Sequence, residues 1–186
     1  MVIQLLSVRT KFLDQGKLLS SLDSIVLRPP VLEDGMDVYR LIESCPPLDT
    51  NSSYCNLLQC SHFSETSVAA KMGGNIVGFI SGYKVPNKAN TLFVWQVAVA
   101  ESARGLGLAS RMLSDILDRQ ECADVEYLET TITQDNKASW ALFEGLAKKR
   151  SIPLQRLEWM DKDLHFSGLH DSETLVRIGP FIRTTK

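Results

Sequence analysis

The chain has 186 residues, with 20 Lys and Arg against 22 Asp and Glu and a formal net charge of −2 at pH 7. This length suits one domain and allows about 70% of the unfolded surface to be buried, so the core needs no disulfide or metal. The slight acidic excess argues against general binding to nucleic acids or anionic membranes, because both favour a basic protein.

No stretch of the sequence predicts secretion or membrane insertion. The apolar run within Met1–Val8 is too short for a secretory signal and follows no basic residue. No run approaches the roughly 18 apolar residues of a membrane helix. Cys45, Cys55, Cys60 and Cys122 follow no zinc-ligand spacing and are expected to be reduced thiols. The sequence therefore predicts a cytoplasmic protein without a bound metal.

The hydrophobic pattern divides the chain into one domain with short extensions. Residues 1–24 show little periodicity, so we expect them to form an N-terminal arm. Residues 25–180 carry the strand and helix patterns of the domain, and residues 181–186 form a C-terminal tail.

The first half of the domain predicts a strand, two helices and a hairpin. Proline pairs stop the first strand and the first helix, and two glycines mark the hairpin turn. Gly78 and Gly82 share one face of the second hairpin strand, which indicates a close approach by another backbone. The elements are a strand at Ile25–Arg28, a helix at Glu33–Ser44, a helix at Tyr54–Cys60 capped by Ser53, strands at Thr66–Met72 and Ile76–Val85, and a turn at Pro86–Asn90.

The polar segment Leu48–Tyr54 between the two helices has two interpretations. It is either a solvated loop with a helix cap or a substrate-binding loop, since loops on a rigid sheet commonly carry binding groups. The spacing alone favours neither.

The stretch Leu92–Val99 predicts the central strand of the sheet. It is apolar at consecutive positions, as a strand buried on both faces requires. Strict alternation places two sets of side chains on opposite faces. One set is Phe93, Trp95, Val97 and Val99, and the other is Leu92, Val94, Gln96 and Ala98.

The second half of the domain predicts alternating helices and strands. Pro153 places one strand at the sheet edge or at a strand start. The whole order predicts an α/β fold in which helices cover both faces of one mixed, twisted sheet of about six or seven strands. The elements are a helix at Gly107–Gln120, a strand at Val125–Thr133, a helix from Asp135 or Asn136, a strand at Ile152–Met160, a loop at Asp161–Ser172 and a strand at Thr174–Ile178.

A glycine turn, Arg104-Gly105-Leu106-Gly107-Leu108-Ala109, joins the central strand to the next helix. A helix start that follows glycines presents free N–H groups and the positive end of the helix dipole to an anion. The motif is not a nucleotide P-loop, because no Gly-Lys-Ser/Thr follows. Taken alone it is a tight turn, and the buried strand before it favours an anion site.

This turn resembles the Arg/Gln-x-x-Gly-x-Gly/Ala motif of the GCN5-related N-acetyltransferases (GNATs), matched by Arg104, Gly107 and Ala109. The resemblance implies the GNAT fold over residues 25–180 and acetyl-CoA as the co-substrate, with its pyrophosphate at the turn. The implied coenzyme site comprises Val97, Ala98, Val99, Arg104, Gly105, Leu106, Gly107, Leu108, Ala109 and Asn136.

Four segments more narrowly resemble the L-2,4-diaminobutyrate acetyltransferases of ectoine synthesis. This resemblance implies acetyl transfer to the N4 amine of diaminobutyrate and a homodimer. The segments are Pro47–Leu58, Val94–Val99, Thr130–Asn136 and Leu169–Leu175, and the implied pocket residues are Asp49, Tyr54, Trp95, Asn136 and Glu173.

These residue types suit a diamino acid, which carries two ammonium groups and one carboxylate. Asp49 and Glu173 can pair with the cations through charge-assisted hydrogen bonds. Trp95 can cover the aliphatic chain or face an ammonium, and Tyr54 and Asn136 can donate to the carboxylate. Each residue alone also has a structural explanation, so only the joint pattern indicates a site.

Catalysis in this interpretation needs a base for the amine and no covalent intermediate, because acetyl-CoA is already activated. Glu173 and Asp49 are candidate bases and Glu129 is a third, and the sequence does not rank them. A backbone N–H at or near Val97 is expected to stabilise the oxyanion.

One position departs from the GNAT pattern. Many members have a tyrosine general acid after the Leu of the later helix, where this chain has Phe143. A thiol has a pKa of about 8.5, so its thiolate can leave without full protonation, and Tyr54 is the candidate replacement acid. His62, His165 and His170 are interpreted as structural or surface groups.

Two other functions stay open on the sequence alone. One is a GNAT acetyltransferase of another amine, such as a polyamine, an aminoglycoside or a protein N-terminus. The other is a non-catalytic acyl-CoA-binding module, which the phenylalanine at position 143 allows.

Overall fold

A seven-stranded mixed sheet organises the part of the chain that the computed structural model describes, residues 24–46 and 48–181. The strand order is β1-β2-β3-β4-β5-β7-β6. Among the strands of the described residues, only β4 and β5 pair in parallel, and the other neighbours are antiparallel. The predicted arm, except Ser24, and the tail beyond Phe181 lie outside the described residues.

The observed elements follow the predicted order. The strands are β1 (Val26–Arg28), β2 (Val68–Met72), β3 (Asn75–Val85), β4 (Lys88–Val99), β5 (Tyr127–Thr133), β6 (Leu154–Met160) and β7 (Glu173–Ile178). The helices are α1 (Gly35–Glu43), α2 (Ser53–Ser61), α3 (Leu108–Leu117), α4 (Lys137–Arg150) and α5 (Lys162–Phe166). None of the helices within the described residues is long and apolar enough to cross a membrane.

Two hydrophobic cores lie on opposite faces of the sheet. The larger contains Met112 and Ile116 of α3 with Phe143 of α4, and the smaller contains Val38 and Ile42 of α1. Each such fully buried side chain stabilises the fold by about 1.5–3 kcal/mol relative to an exposed one. The prediction of helices on both faces is therefore confirmed.

A β-bulge at Trp95 changes the assignment of side chains along β4. Ser81 pairs with Gln96 while Gly82 pairs with Val94, so Trp95 is an extra residue without a partner on β3. An extra residue breaks the period of two, and side chains beyond it change faces. The predicted division of the strand into two strictly alternating faces is therefore wrong.

The packing shows the new assignment. Leu92 and Val94 before the bulge lie in the larger core, and Val97 and Val99 after it pack against that same core. Ala98 belongs to the smaller core. Trp95 is 44% exposed, so β4 is not buried on both faces as predicted.

Three predicted details of the secondary structure differ from the observed ones, each for a local reason. Ser52, not Ser53, caps α2, because its side chain accepts a hydrogen bond from the N–H of Cys55. The predicted loop Asp161–Ser172 contains helix α5, whose five residues are too few to show a period. The predicted turn at Pro86–Asn90 is shorter, because β4 already begins at Lys88.

Other predictions are confirmed. The hairpin turns at Gly73-Gly74, and β6, which follows Pro153, is an edge strand. A Cβ at Gly82 would lie 2.9 Å from the carbonyl oxygen of Phe93, which is the expected close backbone. Gly78 instead faces the side chain of Met112.

None of the four cysteines, all within the described residues, forms a disulfide, in agreement with the predicted reduced thiols. Cys60 lies in the smaller core, and burial together with the charge of Asp34 raises the pKa of its thiol to about 12. The thiol therefore stays protonated.

The Asp34 carboxylate joins β1 to the start of α1. It accepts two hydrogen bonds of 2.7 Å from Arg28 and one of 2.9 Å from the N–H of Val31, and Lys71 of β2 lies 3.8 Å away. Burial acts to raise the pKa of Asp34, but the Arg28 and Val31 hydrogen bonds and the two cationic charges outweigh it and hold that pKa below its usual range.

Replacement of this carboxylate is expected to remove a pH-dependent part of the stability. Because the pKa of Asp34 is lower in the folded state, its stabilisation is present above the unfolded pKa of about 3.9 and is lost as the pH falls through the folded value. Asp34→Asn should lower the free energy of unfolding by about 1–3 kcal/mol at pH 7, and the gap to the wild type should narrow below about pH 4.

Urea unfolding across this pH range measures the gap. The matched control is Asp37→Asn, which breaks an exposed ion pair with Arg40 and should change stability by less than about 1 kcal/mol. A gap for Asp34→Asn that stays constant with pH would contradict this account.

Candidate active site

Two parallel strands separate at the centre of the sheet. β4 and β5 pair only where Thr91–Phe93 lies beside Tyr127–Glu129. Beyond that point β4 continues along β3, and β5 continues along β7. Peptide groups of both strands therefore face an open gap, and a cavity lies on either side of the bulge at Trp95.

The first cavity, here the turn cavity, has a volume of about 650 Å³ and lies against the glycine turn and the starts of α3 and α4. Eight of the ten residues predicted for coenzyme binding line it: Val97, Val99, Arg104, Gly105, Gly107, Leu108, Ala109 and Asn136. Leu106 is not among the lining residues, and Ala98 is buried in the smaller core. The bulge explains why Ala98 does not line the turn cavity, because it places that side chain on the other face of the sheet.

The glycine turn has the geometry of an anion site. Gly105 and Gly107 have φ angles of +75° and +71°, the left-handed region that favours glycine. Helix α3 begins after Gly107, and its first turn has no side-chain cap among the described residues. The first N–H groups of α3 are therefore available to an anion in the cavity.

Arg104 and Asn136 are held at the edge of the turn cavity. The Nε atom of Arg104 donates a 3.0 Å hydrogen bond to the carbonyl oxygen of Val99. The side chain of Asn136 accepts a 3.0 Å hydrogen bond from the N–H of Ser139 and so caps α4. Ser110 and Ser139, which were not predicted as site residues, also line the cavity. Their positions just inside the first turns of α3 and α4 were the signal.

The second cavity, here the aromatic cavity, has a volume of about 830 Å³. It brings together three of the predicted substrate residues, Asp49, Trp95 and Glu173. Its walls include Phe63, Tyr83 and Phe93, and the rings of Tyr83 and Trp95 meet edge to face at 6.4 Å. Burial and the nearby charge of Glu129 raise the pKa of Tyr83, so its hydroxyl stays protonated.

Two predicted substrate residues lie elsewhere. Tyr54 lines neither cavity and is 68% exposed. It lies in the first turn of α2, whose buried side is formed by Asn56, Gln59 and Cys60. Asn136 lines the turn cavity only. Within this chain, Tyr54 and Asn136 therefore do not line the cavity that contains Asp49, and their contact with a substrate stays a prediction.

Gln96 holds Asp49 in place. This buried amide donates a 2.6 Å hydrogen bond to the backbone oxygen of Asp49 and accepts one of 3.3 Å from Asn51. Leu48 lines the turn cavity while Asp49 lines the aromatic cavity. Asp49 therefore lies where the two cavities meet, next to the bulge. Of the polar segment Leu48–Tyr54, Leu48 and Asp49 thus line the two cavities.

Glu129 is already paired. Its buried carboxylate lies 3.3 Å from Lys88 and 3.2 Å from Arg177, and it does not line either cavity. Both cations therefore already occupy the carboxylate as ion-pair partners. As a candidate base, Glu129 is therefore weaker than Asp49 or Glu173. Phe143, at 1% exposure, is buried in the larger core.

The three histidines differ in position. His165 is exposed, and its Nδ1 accepts a hydrogen bond from the N–H of Asp161, as expected of a surface group. His62 and His170 line the aromatic cavity. The interpretation of these two as purely structural or surface groups missed their place in the site, because α5 and the segment after it fold back over the sheet.

The chain resembles proteins of known activity over most of its length. Residues 35–147 match the model of the acetyltransferase (GNAT) family. A protein named L-2,4-diaminobutyric acid acetyltransferase from Methylotuvimicrobium alcaliphilum is 58% identical over 162 residues, 87% of this chain and 94% of that protein. Its namesake from Halomonas elongata is 49% identical over 158 residues, 84% of this chain and 82% of that protein.

A solved structure agrees with these relatives. Diaminobutyrate acetyltransferase EctA from Paenibacillus lautus, in complex with its substrate L-2,4-diaminobutyric acid and coenzyme A, superimposes with a TM-score of 0.82 at 40% identity. The match covers 87% of this chain and 98% of that one. The chain therefore belongs to the GNAT family of acetyltransferases. Within that family, it is a member of the L-2,4-diaminobutyric acid acetyltransferases.

Proposed function

We propose that this protein transfers the acetyl group of acetyl-CoA to the N4 amine of L-2,4-diaminobutyrate. The product is N4-acetyl-L-2,4-diaminobutyrate, the precursor of ectoine. The observation that carries the proposal is the meeting of an anion-binding turn cavity and an acidic, aromatic cavity at Asp49. The Paenibacillus lautus enzyme, which shares this fold, has been solved with diaminobutyric acid and coenzyme A bound.

The turn cavity suits the diphosphate of the coenzyme. The N–H groups from Gly105 into the first turn of α3 can donate to phosphate oxygens, and Arg104 adds a positive charge beside them. The unpaired edge of β4 beyond Phe93 offers peptide groups to the pantetheine arm. This arrangement points the thioester toward the junction of the two cavities.

The aromatic cavity suits a short diamino acid. Asp49 and Glu173 supply negative charge for the two ammonium groups, and Trp95 supplies an apolar face for the chain between them. The amide of Gln96 fixes the backbone of Asp49, and the Asp49 side chain, 85% exposed, is accessible to a substrate.

Direct attack of the amine on the thioester accounts for the chemistry. Alignment of both substrates in one complex can remove up to ~7–11 kcal/mol of barrier. A free N–H of β4 at or near Val97 would stabilise the oxyanion of the tetrahedral intermediate. Because Tyr54 lies outside both cavities, we assign it no role as an acid, and the leaving group departs as a thiolate that then takes up a proton.

The amine must lose a proton before it attacks, because a lysine-like ammonium has a pKa of about 10.4. Asp49 and Glu173 are the carboxylates that face the aromatic cavity and were predicted as bases. Both also hold the ammonium, which favours its charged form.

We further propose a cytoplasmic homodimer. The support is the chain's membership of the diaminobutyrate acetyltransferases, for which the sequence resemblance implied a dimer. Large apolar side chains stay exposed on β6 and the segment after it, including Trp159 at 51% and Leu169 at 92%.

A substrate panel tests the proposed activity. Release of coenzyme A thiol should be fastest with diaminobutyrate and slower with ornithine and lysine, whose longer chains move the reacting amine away from the junction at Asp49. Spermidine, which has no carboxylate, should be the poorest substrate. A preference for spermidine would support the alternative of a polyamine acetyltransferase, and absence of thiol release with every amine would support a binding module.

Removal of the Arg104 side chain should weaken coenzyme binding selectively. Arg104→Ala loses a charge-assisted contact to phosphate, so the Kd of coenzyme A should rise by about tenfold, while the KM of diaminobutyrate stays near the wild-type value. Titration calorimetry measures the first and steady-state rates the second. The control is Lys148→Ala, an exposed charge near the end of α4, and an equal effect of both variants would contradict a site at the turn.

Substitutions in the aromatic cavity should impair the reaction of diaminobutyrate and leave the binding of coenzyme A unchanged. Trp95→Ala and Glu173→Gln remove the apolar face and one carboxylate, and each should lower kcat/KM for diaminobutyrate by roughly 10- to 100-fold. The Kd of coenzyme A should stay unchanged in both. The control is Met36→Ala, an exposed apolar side chain of α1 that lines neither cavity. If coenzyme affinity fell together with kcat/KM, the two cavities would not bind separate substrates.

A further inference from the structure

His170 has a defined tautomer. Its Nδ1 atom lies 2.8 Å from the backbone oxygen of Asp171. A carbonyl oxygen only accepts hydrogen bonds, so Nδ1 carries the hydrogen and donates it. In the neutral ring the lone pair is then on Nε2. His170 lines the aromatic cavity, so this basic nitrogen belongs to the site.

The imidazole ring is held from several sides. It packs against Phe166 of α5, with the ring centroids 4.8 Å apart. The segment after α5 is tied back to the start of that helix, because the N–H of Lys162 donates to Ser172 at 2.9 Å and its Nζ pairs with Asp171 at 3.0 Å. The ring therefore has a fixed position, as proton transfer requires.

The distance from Nε2 of His170 to Oδ2 of Asp49 is 4.0 Å. This separation is too long for a direct hydrogen bond, but one ammonium nitrogen between the two atoms can donate to both at about 2.9 Å. Asp49 lies at the junction of the two cavities, so an ammonium held there is the one next to the thioester. The carboxylate attracts the cation, and the imidazole offers the lone pair.

We infer, on the basis of the proposed function, that His170 is the general base that accepts the proton of the N4 ammonium. A carboxylate that holds the ammonium by charge favours its protonated form, so Asp49 and Glu173 are better suited to binding.

The proton balance is complete. Nε2 of His170 takes one proton from the ammonium, and the freed nitrogen lone pair forms the C–N bond with the thioester carbon. Collapse of the tetrahedral intermediate breaks the C–S bond, and the thiolate takes the second proton from the nitrogen. The side chain of His170 is 38% exposed, so the imidazolium returns its proton to solvent.

Several other titratable groups face the cavity around His170. Asp171, beside it in sequence, is paired with Lys162, and this hydrogen bond and charge keep the pKa of Asp171 below its usual range. The groups that line the cavity are Asp49, His62, Glu65, Tyr83, Lys84, Glu121 and Glu173. The pH dependence of the wild-type rate reflects the titration of all these groups together. The test therefore compares the rate of each variant with that of the wild type at the same pH.

The experiment is a pH series on His170→Gln. Glutamine can accept a hydrogen bond from the ammonium but does not take up its proton. We expect kcat to fall by roughly 100-fold near neutral pH, with the KM of both substrates changed by less than about threefold. The loss should shrink as the pH approaches about 10, because the free amine then forms without a base. In His170→Ala, which leaves room for the missing ring, added imidazole should restore part of the rate near neutral pH.

The matched control is His165→Gln, since His165 lies on α5 in the same segment but outside the cavity. Its kcat should equal that of the wild type. A His170→Gln loss that is the same at every pH, together with no rescue of His170→Ala by imidazole, would show a structural role and overturn the inference. A rise in KM with unchanged kcat would show a binding role and also overturn it. If the wild type fails to acetylate diaminobutyrate, the proposed function itself is wrong.

Discussion

The insertion of Trp95 into the ladder between β3 and β4 is the constraint on which the site depends. Before the bulge, Leu92 and Val94 face the larger core, and after it Val97 and Val99 face that side. Without the extra residue, the second half of β4 would present the opposite set of side chains to the turn cavity. The bulge also places Trp95 and Gln96 next to each other, one lining the aromatic cavity and the other holding Asp49. One residue thus aligns both cavities.

The separation of β4 from β5 leaves peptide groups without a strand partner, which affects the free energy of the fold. Unpaired peptide groups inside a sheet cost free energy unless something else satisfies them. Here those groups face a cavity of about 650 Å³, where water or a ligand can reach them. An extended ligand that pairs with β4 would take the place of the missing strand. The fold therefore carries a preformed edge for recognition through backbone hydrogen bonds.

Much of the architecture was predictable because it depends on local signals. The glycine turn, the apolar stripe of α3 and the Gly73-Gly74 hairpin are each encoded within a few residues, and the structure confirms them. Bulges have no comparable signal. The sequence of β4 does not show where the alternation of its side chains between the two faces is interrupted. Only the pairing with β3 reveals that Trp95 has no residue opposite it. The five-residue helix α5 is likewise too short for periodicity to detect.

The site was predictable only in part for the same reason. Asp49, Trp95 and Glu173 meet as expected, although they are far apart in sequence. Tyr54 is exposed because α2 buries the side that carries Asn56, Gln59 and Cys60, and two of these are polar residues that a hydrophobic pattern does not mark as buried. The place of His170 depended on how α5 folds over the sheet, which is a tertiary property that no local pattern of the sequence records.

The buried Glu129 also bears on the ionic conditions in which the protein works. Its carboxylate is 5% exposed and lies between Lys88 and Arg177, with Arg177 also stacked on the ring of Tyr127. Mobile ions screen exposed charges within about 10 Å at 0.1 M salt, but they reach buried pairs far less. The ion pair between Lys162 and Asp171 is exposed, so mobile ions reach it directly. A concentrated salt solution would thus weaken the ion pairs of Glu129, near Tyr83, less than the ion pair between Lys162 and Asp171, which holds the segment that carries His170.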